Sequence, residues 1–152
     1  MHHLLAVAPD PSSIAAMMTL YLNELTPAGP SVYPQLALYW RDPDRMPYLI
    51  RVADRDVGFV LVRRHPGTVF HELAEFYVVP AWRRHGIGRV AAQAVFDRYP
   101  GWWHLQILDD NTGAQAFWRR VIEGAVHEQR RVAASGRAFT MLQFQRDASG
   151  TQ

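Results

Sequence analysis

"EFYVVPAWRRHGIGRVAAQAVF", residues 75–96, runs from a strand pattern into a helix pattern through a turn of arginines and glycines. From Gly86 onward, Ile87, Val90, Ala91, Ala94 and Val95 recur at helical spacing, while the stretch before Pro80 is rich in aromatic and β-branched residues. A helix that opens here leaves its first N–H groups without internal partners, and its aligned dipoles put partial positive charge at that end. Gly86 and Gly88 carry no Cβ, so a ligand can approach the backbone closely and the chain can take a positive φ. Arg83, Arg84 and Arg89 add charge, and His85 is either exposed or a further partner. The turn is therefore predicted to cradle a phosphate or pyrophosphate. A solvated basic turn merely shaped by its glycines is the plainer alternative. The dinucleotide fingerprint is not met, because the second glycine-spaced step and the later ribose-binding acid are missing.

The rest of the chain frames this turn. Its 152 residues amount to one domain, 49% hydrophobic and 20% charged, enough to bury a core. There is no cysteine, which excludes thiolate nucleophiles, disulfides and cysteine-based zinc sites. There is no lysine either: all 16 basic residues are arginine, which excludes Walker-type phosphate binding and Schiff-base chemistry. No apolar run approaches the length of a membrane span, and the start lacks the pattern of a secretory signal, so a cytoplasmic protein is expected. A net charge of +2 is too small to argue for nucleic acid.

Hydrophobic periodicity predicts the order β-α-α-β-β-β-α-β-α-β-β. A strand over Leu4–Ala8 is followed by a helix whose Ile14, Met17, Met18, Tyr21, Leu22 and Leu25 share a face, then by a short helix at "QLALYW". A hairpin, the long strand ending at Pro80, the helix from Gly86, the strand "WWHLQIL", the helix "NTGAQAFWRRVI" and two final strands complete an α/β fold with helices on a mixed sheet.

The quoted segment resembles the acetyl-CoA-binding segment of the GCN5-related N-acetyltransferase (GNAT) superfamily, whose signature is Gln/Arg-x-x-Gly-x-Gly/Ala; Arg83, Gly86 and Gly88 match it. "NTGAQAFWRRVI" is similar to the family's next element, with Asn111, Ala114 and Phe117 in matching places. The resemblance spans about Leu4 to Gln145 and extends to a subgroup of uncharacterised acetyltransferases. It implies a mostly antiparallel sheet whose fourth and fifth strands splay apart around the pantetheine arm of acetyl-CoA. Backbone groups of Tyr77, Val78 and Val79 would then pair with that arm as an added strand would, the diphosphate would occupy Arg83 to Gly88, including the amide of Ile87, and Asn111 would orient the pantetheine side.

The implied reaction is direct transfer of acetyl to a primary amine of a small molecule or peptide. A free alkylamine is about three pKa units too protonated at neutral pH, so a base must offset roughly 4–5 kcal/mol. Glu75 stands where family members often carry such a base, and alternation along a regular strand would put it on one face with Leu73 and Tyr77. It is equally readable as an exposed strand residue paired with an arginine. Family members commonly use a tyrosine to protonate the leaving thiolate, and this chain has Trp118 at that catalytic position; an indole N–H donates a hydrogen bond but not its proton. Tyr77, His104 or Tyr99 would have to substitute, or the thiolate leaves unaided, or turnover is absent. Tyr21, Glu24, Tyr33, Tyr39 and Trp40 are the candidate acceptor-binding residues, with core packing as the plainer role for each.

Other signals are weaker. "HELAE" lacks the second histidine of a zinc motif and alternates like a strand, so no metal is expected there. His65 and His127 read as surface residues, and one of Trp102 and Trp103 is expected to border the cofactor gap. The doublets Arg63–Arg64, Arg119–Arg120 and Arg130–Arg131 read as solvated faces, so no nucleic-acid partner is expected. A homodimer is compatible with the sequence. The rival functions are a CoA-binding sensor without turnover and an arginine-rich nucleic-acid-binding domain.

Overall fold

In a computed structural model, residues 3–30 and 32–148 can be described. Seven strands, β1 (His3–Val7), β2 (Arg45–Val52), β3 (Arg55–Arg64), β4 (Phe70–Val78), β5 (Gly101–Leu108), β6 (Val126–Val132) and β7 (Ala138–Arg146), form one sheet. Its spatial order is β1-β2-β3-β4-β5-β7-β6, and only β4 and β5 run parallel. The helices are α1 (Ser12–Leu25), α2 (Ile87–Arg98) and α3 (Thr112–Val121), with 3₁₀ turns at Leu36–Trp40 and Pro80–Trp82. The predicted element order holds, except that "QLALYW" is 3₁₀ rather than α; within the sheet β7 pairs with β5, which leaves β6 on the edge.

Period-2 alternation along the strands feeds two cores. One face, with Ile50, Val60, Val62, Leu73, Trp103 and Leu105, packs with α2 and α3 residues such as Ile87, Val95, Phe96 and Trp118. The other, with Leu49, Phe59, Leu61 and Tyr77, takes Ile14, Met17 and Met18 of α1. Each such large side chain stabilises by about 1.5–3 kcal/mol when fully buried.

Two features of β4 position the site. Leu61 of β3 pairs with Glu75 and Val62 pairs with Leu73, so Ala74 is an unpaired extra residue, a β-bulge. The bulge inverts the alternation: Leu73 and Phe76 face the α2/α3 core, while Glu75 and Tyr77 face α1. The expected common face for Leu73, Glu75 and Tyr77 is thereby corrected for Leu73. Second, β4 pairs with β5 only from Phe70 to Leu73 (opposite Trp102 to Leu105), and beyond that point the strands separate as expected.

Gly58 lets β3 and β4 approach across the bulged region: a Cβ there would stand 2.1 Å from the Tyr77 carbonyl oxygen. Since the obstacle is backbone, Gly58→Ala should cost about 1–3 kcal/mol, as overpacking does. A thermal melt should show a drop of roughly 2–4 °C per kcal/mol; an unchanged melting temperature would mean that β4 yields freely at Tyr77.

Candidate active site

Where β4 and β5 part, a cleft of about 970 Å³ opens between them, bounded by α1, the turn before α2, α3 and the β6–β7 turn. Of the two glycines expected to free the turn, Gly86 takes a positive φ, whereas Gly88 lies within α2 and the second left-handed residue is Arg84. Arg84 and Gly86 both take left-handed φ, 68° and 77°, so successive amides curl into a concavity at the start of α2. Nothing lies within 4 Å of a Cβ built on Gly86, and one on Gly88 would meet the Phe117 ring at 3.3 Å. Among the described residues, the N–H groups of residues 84–89 have no backbone acceptor. This is the unpaired donor set that a diphosphate needs, and a coenzyme A group fits it.

Of the expected cofactor residues, Tyr77, Val78, Arg83, Arg84, Gly86, Gly88, Arg89, Asn111, Ala114 and Phe117 all line the cleft. Three do not. Ile87 is fully buried in the α2/α3 core, which leaves only its amide for the cradle. His85 is exposed beside Trp82, outside the cleft lining. Val79 is a correction: its N–H already bonds Val57 on β3 at 2.9 Å, so it does not extend the free edge of β4. Two further groups are partly engaged. Arg83 donates to the Val78 carbonyl and to Glu24 at 2.8 and 2.9 Å, tying the end of β4 to α1. The Asn111 side chain caps α3 by accepting from the Ala114 N–H at 3.1 Å.

On the α1 face, Glu75 is half-buried and accepts hydrogen bonds from the Tyr21 hydroxyl at 2.6 Å and the Tyr33 hydroxyl at 3.0 Å. Desolvation raises its pKa from the ordinary carboxylate value, while the two phenols oppose the rise. The alternative of an arginine partner is not what the side chain adopts; its hydrogen-bond partners are tyrosines. Tyr21 borders the cleft and Glu75 lies behind it, outside the cleft lining. Glu24 also lines the cleft and accepts from the Tyr77 hydroxyl at 2.8 Å.

The aromatic acceptor wall is smaller than expected. Tyr39 is 2% exposed in the α1 core beneath Arg45, and Trp40 donates its indole N–H to the Ala8 carbonyl at 2.8 Å. Neither lines the cleft, so both are corrected to packing residues. Tyr33 likewise stays behind the lining but touches Glu75. Trp118, 6% exposed, packs edge-on against Phe76 and Phe117 and walls the cleft. Of the suggested acids, only Tyr77 reaches the cleft: Tyr99 shares a hydrogen bond with Tyr48, and His104 lies outside the lining near the start of β5. Trp103 is fully buried and Trp102 packs on Phe70, so neither tryptophan borders the gap.

Sequence reasoning missed Arg137 in the β6–β7 turn. It reaches the Leu25 carbonyl at 2.8 Å and the Thr26 hydroxyl at 2.7 Å, and stands 3.4 Å from Asp110, at the mouth of the cleft. Only the turn pattern "ASGR" was legible; a contact between residues so distant in sequence leaves no local trace.

The family relationship agrees with this geometry. Residues 14–122 match the model of the acetyltransferase (GNAT) family. No curated protein matches the chain significantly in sequence. In three dimensions the chain is similar to yncA from Salmonella typhimurium, solved with its cofactor acetyl-CoA (TM-score 0.72, 17% identity, 100% of this chain and 98% of that one). It is also similar to NAA60 from Arabidopsis thaliana in complex with a bisubstrate analogue (0.70, 12%, 99% and 100%). The ribosomal-protein-S18-alanine N-acetyltransferase from Escherichia coli is a further match (0.69, 13%, 99% and 98%). The chain belongs to the acetyltransferase (GNAT) family. It is an acyltransferase that uses acetyl-CoA. Among the described residues, no helix is long and apolar enough to cross a membrane.

The cradle and the half-buried carboxylate each lead to an expected outcome. Gly86→Val forces a β-branched residue to φ 77° and should weaken CoA binding about tenfold or more, read by calorimetry, whereas Gly124→Val, at φ 86° outside the cleft, should lower stability but leave the Kd unchanged. Glu75→Gln should raise the melting temperature at neutral pH. Because the folded-state pKa of Glu75 is raised, its ionisation opposes folding increasingly as pH climbs from about 4.5 through the folded value; the advantage of glutamine should vanish in acid, where both states hold the proton.

Proposed function

We propose that the protein N-acetylates a primary amine of a small molecule or peptide by direct attack, with Glu75 accepting the amine's proton through Tyr21. The observation that carries the reading is the Glu75–Tyr21 pair, in which a carboxylate with raised pKa sits behind a cleft-lining phenol that donates to it at 2.6 Å. Raising the pKa brings the base closer to the amine it must deprotonate. As the ammonium proton moves to the Tyr21 oxygen, the phenol's own proton moves to Glu75, leaving the amine neutral and Tyr21 unchanged. Tyr33 holds the second carboxylate oxygen and so fixes Glu75 in place.

Acetyl-CoA supplies the activated acetyl thioester. The main-chain donors of residues 84–89 and the side chains of Arg84 and Arg89 would hold its diphosphate, and the edge of β4 at Tyr77 and Val78 its pantetheine arm. Tyr77 is the cleft-lining phenol available to the departing sulfur; its O–H donates to Glu24, so that bond would have to turn to the sulfur as the thiolate forms. Burial and the Glu24 carboxylate push its pKa up to about 12, which suits hydrogen-bond donation rather than proton release. We further propose action in the cytoplasm, where the cysteine-free chain meets acetyl-CoA in a reducing compartment.

A second reading, a CoA-binding sensor, draws on Trp118, which stands where family members commonly carry the acid tyrosine and is built into the core. The nucleic-acid reading is weakened by pairing within the arginine doublets: Arg64 with Asp44, Arg119 with Glu128, and Arg130 with Asp109.

Thiol release from acetyl-CoA across an amine panel tests the proposal. Wild-type kcat/KM should climb with pH through a pKa above the usual carboxylate range. Glu75→Gln should lower it by about 10²–10⁴-fold and abolish that limb, and Tyr21→Phe should do much the same, both with CoA affinity intact. Cofactor binding without release on any amine would establish the sensor instead.

A further inference from the structure

We infer that His65, Glu72 and His104 form a binding site for a divalent transition cation of the zinc class. The cluster lies near the start of β4, outside the acetyl-transfer cleft, and its argument is independent of the acceptor proposed above.

The sheet itself assembles the cluster. In the parallel β4–β5 ladder Glu72 stands opposite His104, and both neighbours of His104, Trp103 and Leu105, are buried in the α2/α3 core. Alternation therefore sends His104 to the other face, where Glu72 also points. His65 arrives from the β3–β4 turn, which fixes its backbone through bonds from its N–H to Phe70 and from Thr68 to its carbonyl. Its Nε2 lies 2.8 Å from Glu72 Oε1, and its ring centre is 5.0 Å from that of His104.

One ligand atom from each residue lies within 4.8 Å of the others. A tetrahedral zinc with bonds of about 2.0–2.1 Å requires separations near ~3.4 Å, so modest side-chain rotations close the set. Two imidazoles and one carboxylate match the borderline cations and leave a position open to water, whereas calcium and magnesium prefer all-oxygen shells.

A second observation points to a ligand. The Nδ1 of His104 is buried without a hydrogen-bond partner. A buried polar atom left unpaired is costly. A cation would satisfy it directly or through a coordinated water. The side chains of His65 and Glu72 are 30% and 17% exposed, so the site is shielded yet reachable from solvent.

The zinc-like string "HELAE" is a different matter: His71 points to the opposite face and stacks on Tyr99 at 4.7 Å, so only Glu72 of that string belongs to the site.

The test uses the full chain with His2 and His3 replaced by alanine, so that an adjacent histidine pair cannot mimic the site, stripped with chelator and kept free of CoA. Zinc titration against a chromophoric chelator should give one ion per chain at roughly micromolar Kd or tighter. Zinc should also raise the melting temperature, and cobalt should show the visible absorption of a four-coordinate site. His65→Gln, in a partly exposed turn, and Glu72→Gln should each weaken zinc by at least about tenfold while melting cooperatively in chelator. Absence of stoichiometric binding, or equal affinity in both variants, overturns the site.

Discussion

β4 and β5 hold to one another for only four residue pairs, Phe70 to Leu73 against Trp102 to Leu105, and the rest of the molecule's chemistry depends on that limit. Parallel strands normally satisfy their backbone groups along their whole length. Here the ladder ends inside the sheet and leaves an interior edge facing a cleft rather than bulk water. Ala74 makes the departure workable. One extra residue at the point of divergence bends β4 and re-aims the side chains beyond it, so that Glu75 and Tyr77 face α1 while Phe76 continues the opposite core. The aim of the Glu75 side chain is thus a consequence of one local irregularity.

Around Glu75 the balance is electrostatic. Burying a carboxylate is costly unless its lone pairs are met. Tyr21 and Tyr33 meet them with neutral donors, which hold the group in position without neutralising its charge as an arginine would. Burial raises the pKa of both tyrosines, so they keep their protons across the working range. At the nearby cleft wall the opposite solution is used: Arg83 salt-bridges Glu24, pairing charge with charge in a more exposed place. A half-buried carboxylate dressed by phenols keeps its affinity for a proton, whereas an exposed one paired with guanidinium acts as a brace.

Much of this was legible in the sequence, and the exceptions have physical causes. The turn at residues 83–88 was readable because its properties are local: glycines free to take positive φ, arginines, and a helix starting at once. Element order was readable because periods of 2 and 3.6 differ. The bulge was not, since alternation contains no mark for an unpaired residue, and Leu73 was therefore assigned the wrong face. Tyr39 and Trp40 stay open between pocket wall and core at the level of sequence, because an aromatic residue suits either, and only the 3₁₀ turn decides between them. The sheet order, with β7 beside β5 and β6 on the edge, depends on pairing choices that neither strand encodes alone.

Arg137 carries a last consequence. The gap between the β6–β7 hairpin and the end of α1 is spanned by a flexible side chain, gripping Leu25 and Thr26 from across the fold, and no backbone segment need shift to change it. The width of the opening is thus set by a single side chain, which can change in size without disturbing the sheet or the groups behind the cleft.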